Sequence, residues 1–210
     1  MNVVSKLASS MNRRDEVPNQ ELAKEIVKKE DEEAIQELID LLSDKNKKIQ
    51  NDCIKVLYEV GEIKPALISS HLNVFLDLLD HKNNRLQWGA MTALNTIASE
   101  DPDSIYESIS TILKAADKGS IITRDQAVHI LIKLCSSDQH SDSAFLLLNE
   151  QMLSSPTNQL PMYAENALVV ITIEQREMFT KTLKSRLDDI EKESKRKRVE
   201  KVLKKLDKME

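Results

Sequence analysis

Apolar residues recur along this chain at an offset of 37 positions, with the internal spacing of a helix. One set of four positions, each 37 residues from the next, holds small residues. A leucine follows each after four residues, and an aliphatic residue three residues later. Such spacings place the side chains on one helical stripe, where the small residue allows a neighbouring helix to approach closely. The columns are Cys53, Ala90, Ala127 and Ala164; Leu57, Leu94, Leu131 and Leu168; and Val60, Ile97, Leu134 and Ile171.

A second apolar set precedes each of these helices in the same register and predicts a partner helix. Its columns are Ile35, Leu72, Ile109, Leu146 and Leu183; Leu42, Leu79, Ala116, Leu153 and Ile190; Leu41, Leu78, Ala115 and Met152; and Leu38, Phe75 and Ile112, the last broken by Asn149. Each unit is therefore a helix A, a polar turn, a helix B and a short link. Because one helix pair cannot bury its stripe alone, neighbouring units must stack.

Polar residues suited to capping a helix mark the expected start of each helix B. Their side chains can accept a hydrogen bond from a backbone N–H of the first turn. Prolines 37 residues apart fall where two A helices are expected to begin, and proline suits the first turn of a helix. The expected caps are Asn46, Asn83, Ser120, Thr157 and Ser194, and the prolines are Pro65 and Pro102.

This unit resembles the HEAT-repeat family over about residues 31–208, whereas the motifs of tetratricopeptide and ankyrin repeats do not occur. The resemblance implies an all-α fold, a right-handed α-solenoid of about five antiparallel helical hairpins whose B helices line a concave face. The expected units are approximately residues 31–62, 65–99, 101–136, 138–175 and 176–208.

Both ends of the chain are expected to differ from the central units. Residues 1–30 form an N-terminal segment with a capping helix from about Asn19 to Lys29, and residues 1–18 are expected to fray. In the last unit the apolar stripe moves to another set of positions and the rest is charged, as a terminal cap requires. That stripe is Val199, Val202, Leu203 and Leu206.

Composition favours a soluble helical protein, with 40% apolar residues, 31% charged residues and only 3 glycines. A net charge of −5 argues against a surface that follows nucleic acid throughout. Cys53 and Cys135 stand in apolar helical runs and are expected to be buried. Without a signal-peptide pattern or an apolar run of 18 residues, we expect a cytoplasmic protein with no membrane partner.

Residues for catalysis do not converge in this sequence. The four histidines form no helical pair, and neither a glycine-rich phosphate loop nor a Gly-x-Ser-x-Gly turn is present. We therefore expect a non-enzymatic protein without catalytic residues, metal or cofactor. The HEAT-like alkylpurine DNA glycosylases, which place an Asp close to a Trp, offer an alternative through Trp88 and Asp125. An acid such as Asp125 also suits the first turn of a helix for electrostatic reasons.

The B-helix positions opposite the buried stripe are expected to face a peptide or protein partner, since aromatic and Met side chains anchor partners well. Tyr58 and Trp88 could instead fill space between B helices, and His129 could be an ordinary surface histidine. The candidate binding residues are Tyr58, Trp88, Asn95, Asp125, His129, Met162 and Asn166.

The densest basic run is Lys195, Arg196, Lys197 and Arg198. It could meet an acidic protein, a nucleic-acid backbone or an anionic membrane. We favour a solvated face of the capping helix, partly neutralised by neighbouring glutamates. Those glutamates are Glu191, Glu193 and Glu200.

The sequence thus predicts a non-catalytic scaffold that binds a peptide or protein on its concave face, with nucleic-acid binding as the alternative. Salt separates the two, because binding through phosphate contacts weakens steeply as salt rises. The apolar columns also predict that Ala90, Ala127 and Ala164 are nearly fully buried. Ala127→Phe is therefore expected to overpack the interface between neighbouring helices.

Overall fold

A computed structural model describes residues 2–209, and across that range the protein is built from helices. Short 3-10 helices cover Val4–Lys6 and Leu78–Asp80. The α-helices are α1 (Val17–Lys29), α2 (Glu32–Leu41), α3 (Lys47–Ile63), α4 (Ala66–Ser69), α5 (Leu72–Asp77), α6 (Asn84–Ile97), α7 (Pro102–Glu107), α8 (Ile109–Lys118), α9 (Ile121–Leu134), α10 (Ser141–Ser154), α11 (Leu160–Ala167), α12 (Ile173–Ser185) and α13 (Glu193–Leu206).

The chain forms two compact units, the first ending at Ala127 and the second beginning at Val128. In the first unit α3 packs against α1 on one side and α6 on the other. In the second, α11 packs on α13 and α10 on α12. Within residues 2–209, no helix is both long enough and apolar enough to cross a bilayer.

The small residues of the B helices are buried, as the pattern predicted. Cys53, Ala90 and Ala164 are fully inaccessible and Ala127 is 1% exposed. Close approach of α3 and α6 also depends on Gly89, since a Cβ at that position would lie 2.6 Å from a side-chain carbon of Ile54. These contacts hold α3 and α6 side by side along one face.

The A helices of two units are divided, contrary to the single helix that the pattern predicted. A short α4 precedes α5, and a short α7 precedes α8. Ser70 and Ser108 stand at the two breaks, and serine weakens a helix because its hydroxyl competes for backbone hydrogen bonds. Pro65 caps α4 and Pro102 begins α7, which confirms both prolines as helix starts.

The prediction for α10 is wrong at two of its three apolar positions, Leu146 and Leu153, and right at Met152. Leu146 and Leu153 are 51% and 48% exposed, whereas Phe145, Leu148 and Met152 are buried. Helix α2 is also unbroken, yet Ile35 within it and Leu42 at its end are buried as predicted, so the departure is specific to α10. Asn149 consequently lies on the buried side of α10 and is only 8% exposed.

Three of the five expected caps are confirmed. The side chains of Asn46 and Asn83 accept from Lys48 N and Arg85 N at 3.0 and 3.1 Å, and Ser120 Oγ accepts from Thr123 N at 3.4 Å.

The expected caps Thr157 and Ser194 are wrong. Helix α11 begins only at Leu160, where Pro161 favours the first turn, and Ser194 lies inside the first turn of α13. An unforeseen capping box joins Thr172 and Gln175 at the start of α12.

The N-terminal segment packs rather than frays. Val3 and Leu7 are fully buried and Ala8 is 4% exposed. Ala8 N donates to Asn19 Oδ1 at 3.0 Å, and Asn19 Nδ2 donates to Asp52 Oδ1 at 2.8 Å. These buried apolar side chains escaped the prediction because they occupy too short a stretch to show a helical period.

Candidate partner-binding surface

Two aromatic side chains meet on the surface formed by α3 and α6. The rings of Tyr58 and Trp88 are tilted by 49° with centroids 6.1 Å apart. Tyr58 is only 8% exposed, whereas Trp88 is half-buried. The close packing of α3 on α6 brings the two rings together, and it leaves part of the indole open to solvent.

Each ring carries a cation from its own helix, three residues before it. Lys55 Nζ lies 4.8 Å from the Tyr58 centroid, and the Arg85 guanidinium carbon lies 5.2 Å from that of Trp88. Residues three apart are neighbours on a helix surface, which explains both pairs. A cation over a ring face is attracted by the electrons of the ring.

The Glu16 carboxylate, at the start of α1, joins the two cations. Its Oε2 lies 2.9 Å from Lys55 Nζ, and its Oε1 forms an ion pair with Arg85. Partial burial raises the pKa of Glu16, but Lys55 and Arg85 outweigh it and hold that pKa below its ordinary value. We call Glu16, Lys55, Tyr58, Arg85 and Trp88 the Glu16 cluster.

Lys55 is nearly buried and keeps its charge. Its side chain is 8% exposed, and Glu59 Oε1 lies 2.6 Å from its ammonium group. Burial lowers the pKa of Lys55, but Glu59, Tyr58 and Glu16 more than offset this and raise it well above its ordinary value. The ammonium group is therefore a fixed positive charge on this face.

Side-chain amides flank the cluster at both ends. Asn83 Nδ2 donates to Gln50 Oε1 at 3.1 Å and to Asn51 Oδ1 at 2.9 Å. Asn95, one of the predicted binding residues, is 8% exposed and donates from Nδ2 to Gln126 Oε1 at 2.6 Å. Asp125, on α9, is half-buried.

The second unit holds the remaining candidates. His129 and Asn166 are brought together, with His129 Nε2 3.1 Å from Asn166 Nδ2. Both are half-buried, as is Met162 on α11. The hydrogen bond connects equivalent positions of two consecutive B helices, 37 residues apart.

The C-terminal basic run lies on α13 among polar partners. Lys195 Nζ donates to Asn158 Oδ1 at 2.6 Å, and Lys197 Nζ lies 2.6 Å from Glu193 Oε1. Arg196 Nη2 lies 2.8 Å from Asp188 Oδ1. The guanidinium of Arg198 donates two hydrogen bonds to Glu165 and lowers the pKa of that carboxyl. The apolar stripe beneath, predicted from Val199 to Leu206, is buried.

The two thiols are confirmed as buried side chains. Cys53 and Cys135 are both free, and burial raises the pKa of each to about 12. A thiol with so high a pKa is not a reactive nucleophile near neutral pH.

Sequence reasoning missed Glu16 and Arg85, and it did not pair Tyr58 with Trp88. A usable signal was the repeated spacing of a cation three residues before an aromatic ring, in Lys55 to Tyr58 and Arg85 to Trp88. The 37-residue offset aligns Trp88 with Asn51, because it matches equivalent positions of successive repeat units. Tyr58 and Trp88 are separated by 30 residues, so they stand in different columns of the repeat.

No protein-family model and no curated protein matches this chain. Solved structures do match over nearly the full length. Computationally designed armadillo repeat proteins for modular peptide recognition share 17% identity and a TM-score of 0.60, with 96% of this chain and 97% of that chain covered. A designed armadillo repeat protein in complex with the peptide (KR)4 gives 17% identity and a TM-score of 0.61, covering 97% and 99%.

An engineered protein from a structural genomics consortium gives 18% identity and a TM-score of 0.61, with 98% and 99% of the two chains covered. The chain therefore has a HEAT/armadillo-like repeat fold, similar to these proteins in architecture at low sequence identity.

Proposed function

We propose that this protein is a non-catalytic scaffold that binds a peptide or protein partner on its B-helix surface. The observation that carries the proposal is the half-buried Trp88 ring on α6, flanked by Tyr58 and two cations. Partly exposed aromatic and arginine side chains are the groups that most often dominate binding energy at interfaces. The fold, shared with proteins designed for peptide recognition, is consistent with this role.

Within the second unit, His129, Asn166 and Met162 are proposed to contact a partner as well. Side-chain amides can hydrogen-bond the backbone of an extended peptide, and a thioether adapts to irregular apolar groups. A cytoplasmic location is also part of the proposal.

A random-peptide display library selected on the full chain tests this function. Enriched peptides should lose about tenfold or more in affinity for Trp88→Ala, because truncating an aromatic anchor removes a central contact. Met178→Ala is the matched control, since Met178 is also apolar and 46% exposed but lies on α12. Circular dichroism checks that both variants fold.

Peptides that bind Trp88→Ala as tightly as the unchanged protein would place binding elsewhere. Failure to enrich any peptide would count against the peptide-binding function.

A further inference from the structure

The carboxylate of Glu16 lies where a ligand of the cluster would lie. It reaches Lys55 and Arg85 from the solvent side, with 41% of its own side chain exposed. Both cations are held in place from below by the rings of Tyr58 and Trp88. One carboxylate thus satisfies two cations that come from different helices and have been oriented by aromatic contacts.

Glu16 is not needed to hold the N-terminal segment. It precedes α1, yet its side chain makes no capping hydrogen bond to that helix. The segment is anchored by other groups: Asp52 Oδ2 accepts from Ser9 N at 2.8 Å, and Asn19 ties Ala8 to Asp52. Residues 10–15, between these anchors and Glu16, are all exposed. Displacing the Glu16 side chain would therefore leave the buried core intact.

Removing the Glu16 carboxylate would leave a positive surface with room for a ligand. In the free chain Lys55 also pairs with Glu59, so Glu16 and Glu59 together balance the charges of Lys55 and Arg85. Without Glu16, one net positive charge would remain. In the described part of the chain, residues 2–209, the Nε atom of Arg85 is buried and has no hydrogen-bond partner.

A cavity of about 500 Å³ opens beside Arg85. Besides Arg85, three basic side chains line it, together with the carboxylates of Asp15, Glu16 and Asp52. The basic residues are Arg13, Arg14 and Lys48.

We propose that the Glu16 cluster recognises a carboxylate side chain of an acidic peptide, and that Glu16 occupies this position in the free chain. The incoming carboxylate pairs with Lys55 and Arg85 while its neighbours in the peptide pack on the exposed part of Trp88. Charge complementarity selects the partner: a basic peptide would meet Lys55, Arg85, Arg14 and Lys48 as like charges. This inference rests on the proposed peptide-binding function and names the chemistry of the partner.

Fluorescence anisotropy with two labelled peptides, (Glu-Asp)4 and (Lys-Arg)4, tests the proposal. Glu16→Gln keeps the shape of the side chain but removes its charge, and it should tighten binding of (Glu-Asp)4 about fivefold by removing the internal competitor. The matched control is Glu25→Gln, because Glu25 lies in the same N-terminal region and pairs with Lys6 and Lys29 instead. That control should bind as the unchanged protein does.

Arg85→Gln should weaken binding of (Glu-Asp)4 at least tenfold, as expected for a central charged contact. Circular dichroism and thermal melting confirm folding of each variant. If Glu16→Gln and Glu25→Gln change affinity equally, or if (Lys-Arg)4 binds more tightly than (Glu-Asp)4, the proposal is overturned. Basic or neutral peptides that bind through Trp88 would overturn the acidic preference and still leave the scaffold function standing.

Discussion

The Glu16 cluster and the basic helix α13 use positive charge in opposite ways. On α13, Lys195 to Arg198 are consecutive in sequence, and each pairs with a nearby polar or acidic side chain on the surface. In the cluster, Lys55 and Arg85 are 30 residues apart, yet they converge on a single carboxylate and stand over two aromatic rings.

The difference shows that density of charge along a sequence is a poor guide to a binding surface. Consecutive residues of a helix point in different directions, so the four basic residues of α13 find separate partners. Convergence requires residues from neighbouring helices and a shared face, which the packing of α3 on α6 supplies. This contrast supports the proposal that the cluster is a binding surface and that α13 is a structural cap.

The largest expected effect concerns what α13 contributes to stability. Leu203 belongs to its buried stripe and is 7% exposed, so Leu203→Ala should cost about 2–4 kcal/mol. Lys204→Ala, at the exposed position beside it, should stay within about 0.5 kcal/mol. Urea denaturation followed by circular dichroism measures both. Equal losses for the two variants would mean that the charged face of α13 has a structural role that its contacts do not explain.

The next effect separates buried from exposed cations. Lys55→Ala removes a cation whose side chain is 8% exposed. It takes the ion-pair partner from Glu59 and leaves Glu16 paired with Arg85 alone, which should cost about 2 kcal/mol of unfolding free energy. Lys197→Ala on α13 removes a cation that is 68% exposed and should cost less than about 0.5 kcal/mol. The same denaturation experiment measures both losses. A smaller loss for Lys55→Ala than for Lys197→Ala would contradict the claim that the buried cation contributes more to stability than the exposed one.

A smaller effect is expected at the best-formed ion pair of α13. Arg198 binds both oxygens of Glu165, with Nε 2.9 Å from Oε1, but the pair is exposed to solvent. Arg198→Ala should cost at most about 1 kcal/mol, and the loss should shrink in 1 M salt because screening weakens exposed pairs. A loss that is independent of salt would indicate that packing of the arginine stem, rather than its charge, is what matters.

The smallest effect is the pH dependence of the Glu16 contacts. Because the folded protein lowers the pKa of Glu16 below its ordinary value of 4.5, its contribution to stability is present above that pH. It is lost as the pH falls through the folded-state pKa. The stability difference between the unchanged protein and Glu16→Gln should therefore narrow between pH 7 and pH 3. A constant difference over that range would show that the charge of Glu16 contributes nothing.

The sequence correctly predicted which side chains are buried where apolar residues recur every 37 positions. It correctly placed Ala90, Ala127 and Ala164 in the core, together with the stripe on α13. It failed in α10, where Phe145 and Leu148 are buried and Leu146 is exposed. A constant offset assumes that equivalent helices bury equivalent positions, and α10 does not.

The candidate surface was only partly predictable. Spacing alone assigned Trp88 and Tyr58 to the side of the B helices opposite the buried stripe, although Tyr58 is only 8% exposed. The contribution of Glu16 could not be predicted, because it comes from an irregular segment outside the repeat. The position of that segment is fixed by the burial of Val3 and Leu7 and by hydrogen bonds to Asn19 and Asp52. Within residues 2–209, the contacts of Glu16 with Lys55 and Arg85 have no equivalent in the other repeat units, so a repeated pattern cannot predict them.

The emission of Trp88 offers the most direct test of the cluster as a binding surface, because Trp88 is the only tryptophan in the chain. Unlabelled (Glu-Asp)4 titrated into the unchanged protein should shift the emission in a saturable manner, and raised salt should weaken the response. (Lys-Arg)4 should produce no such change. Emission that stays constant with (Glu-Asp)4 or responds only to (Lys-Arg)4 would contradict the account.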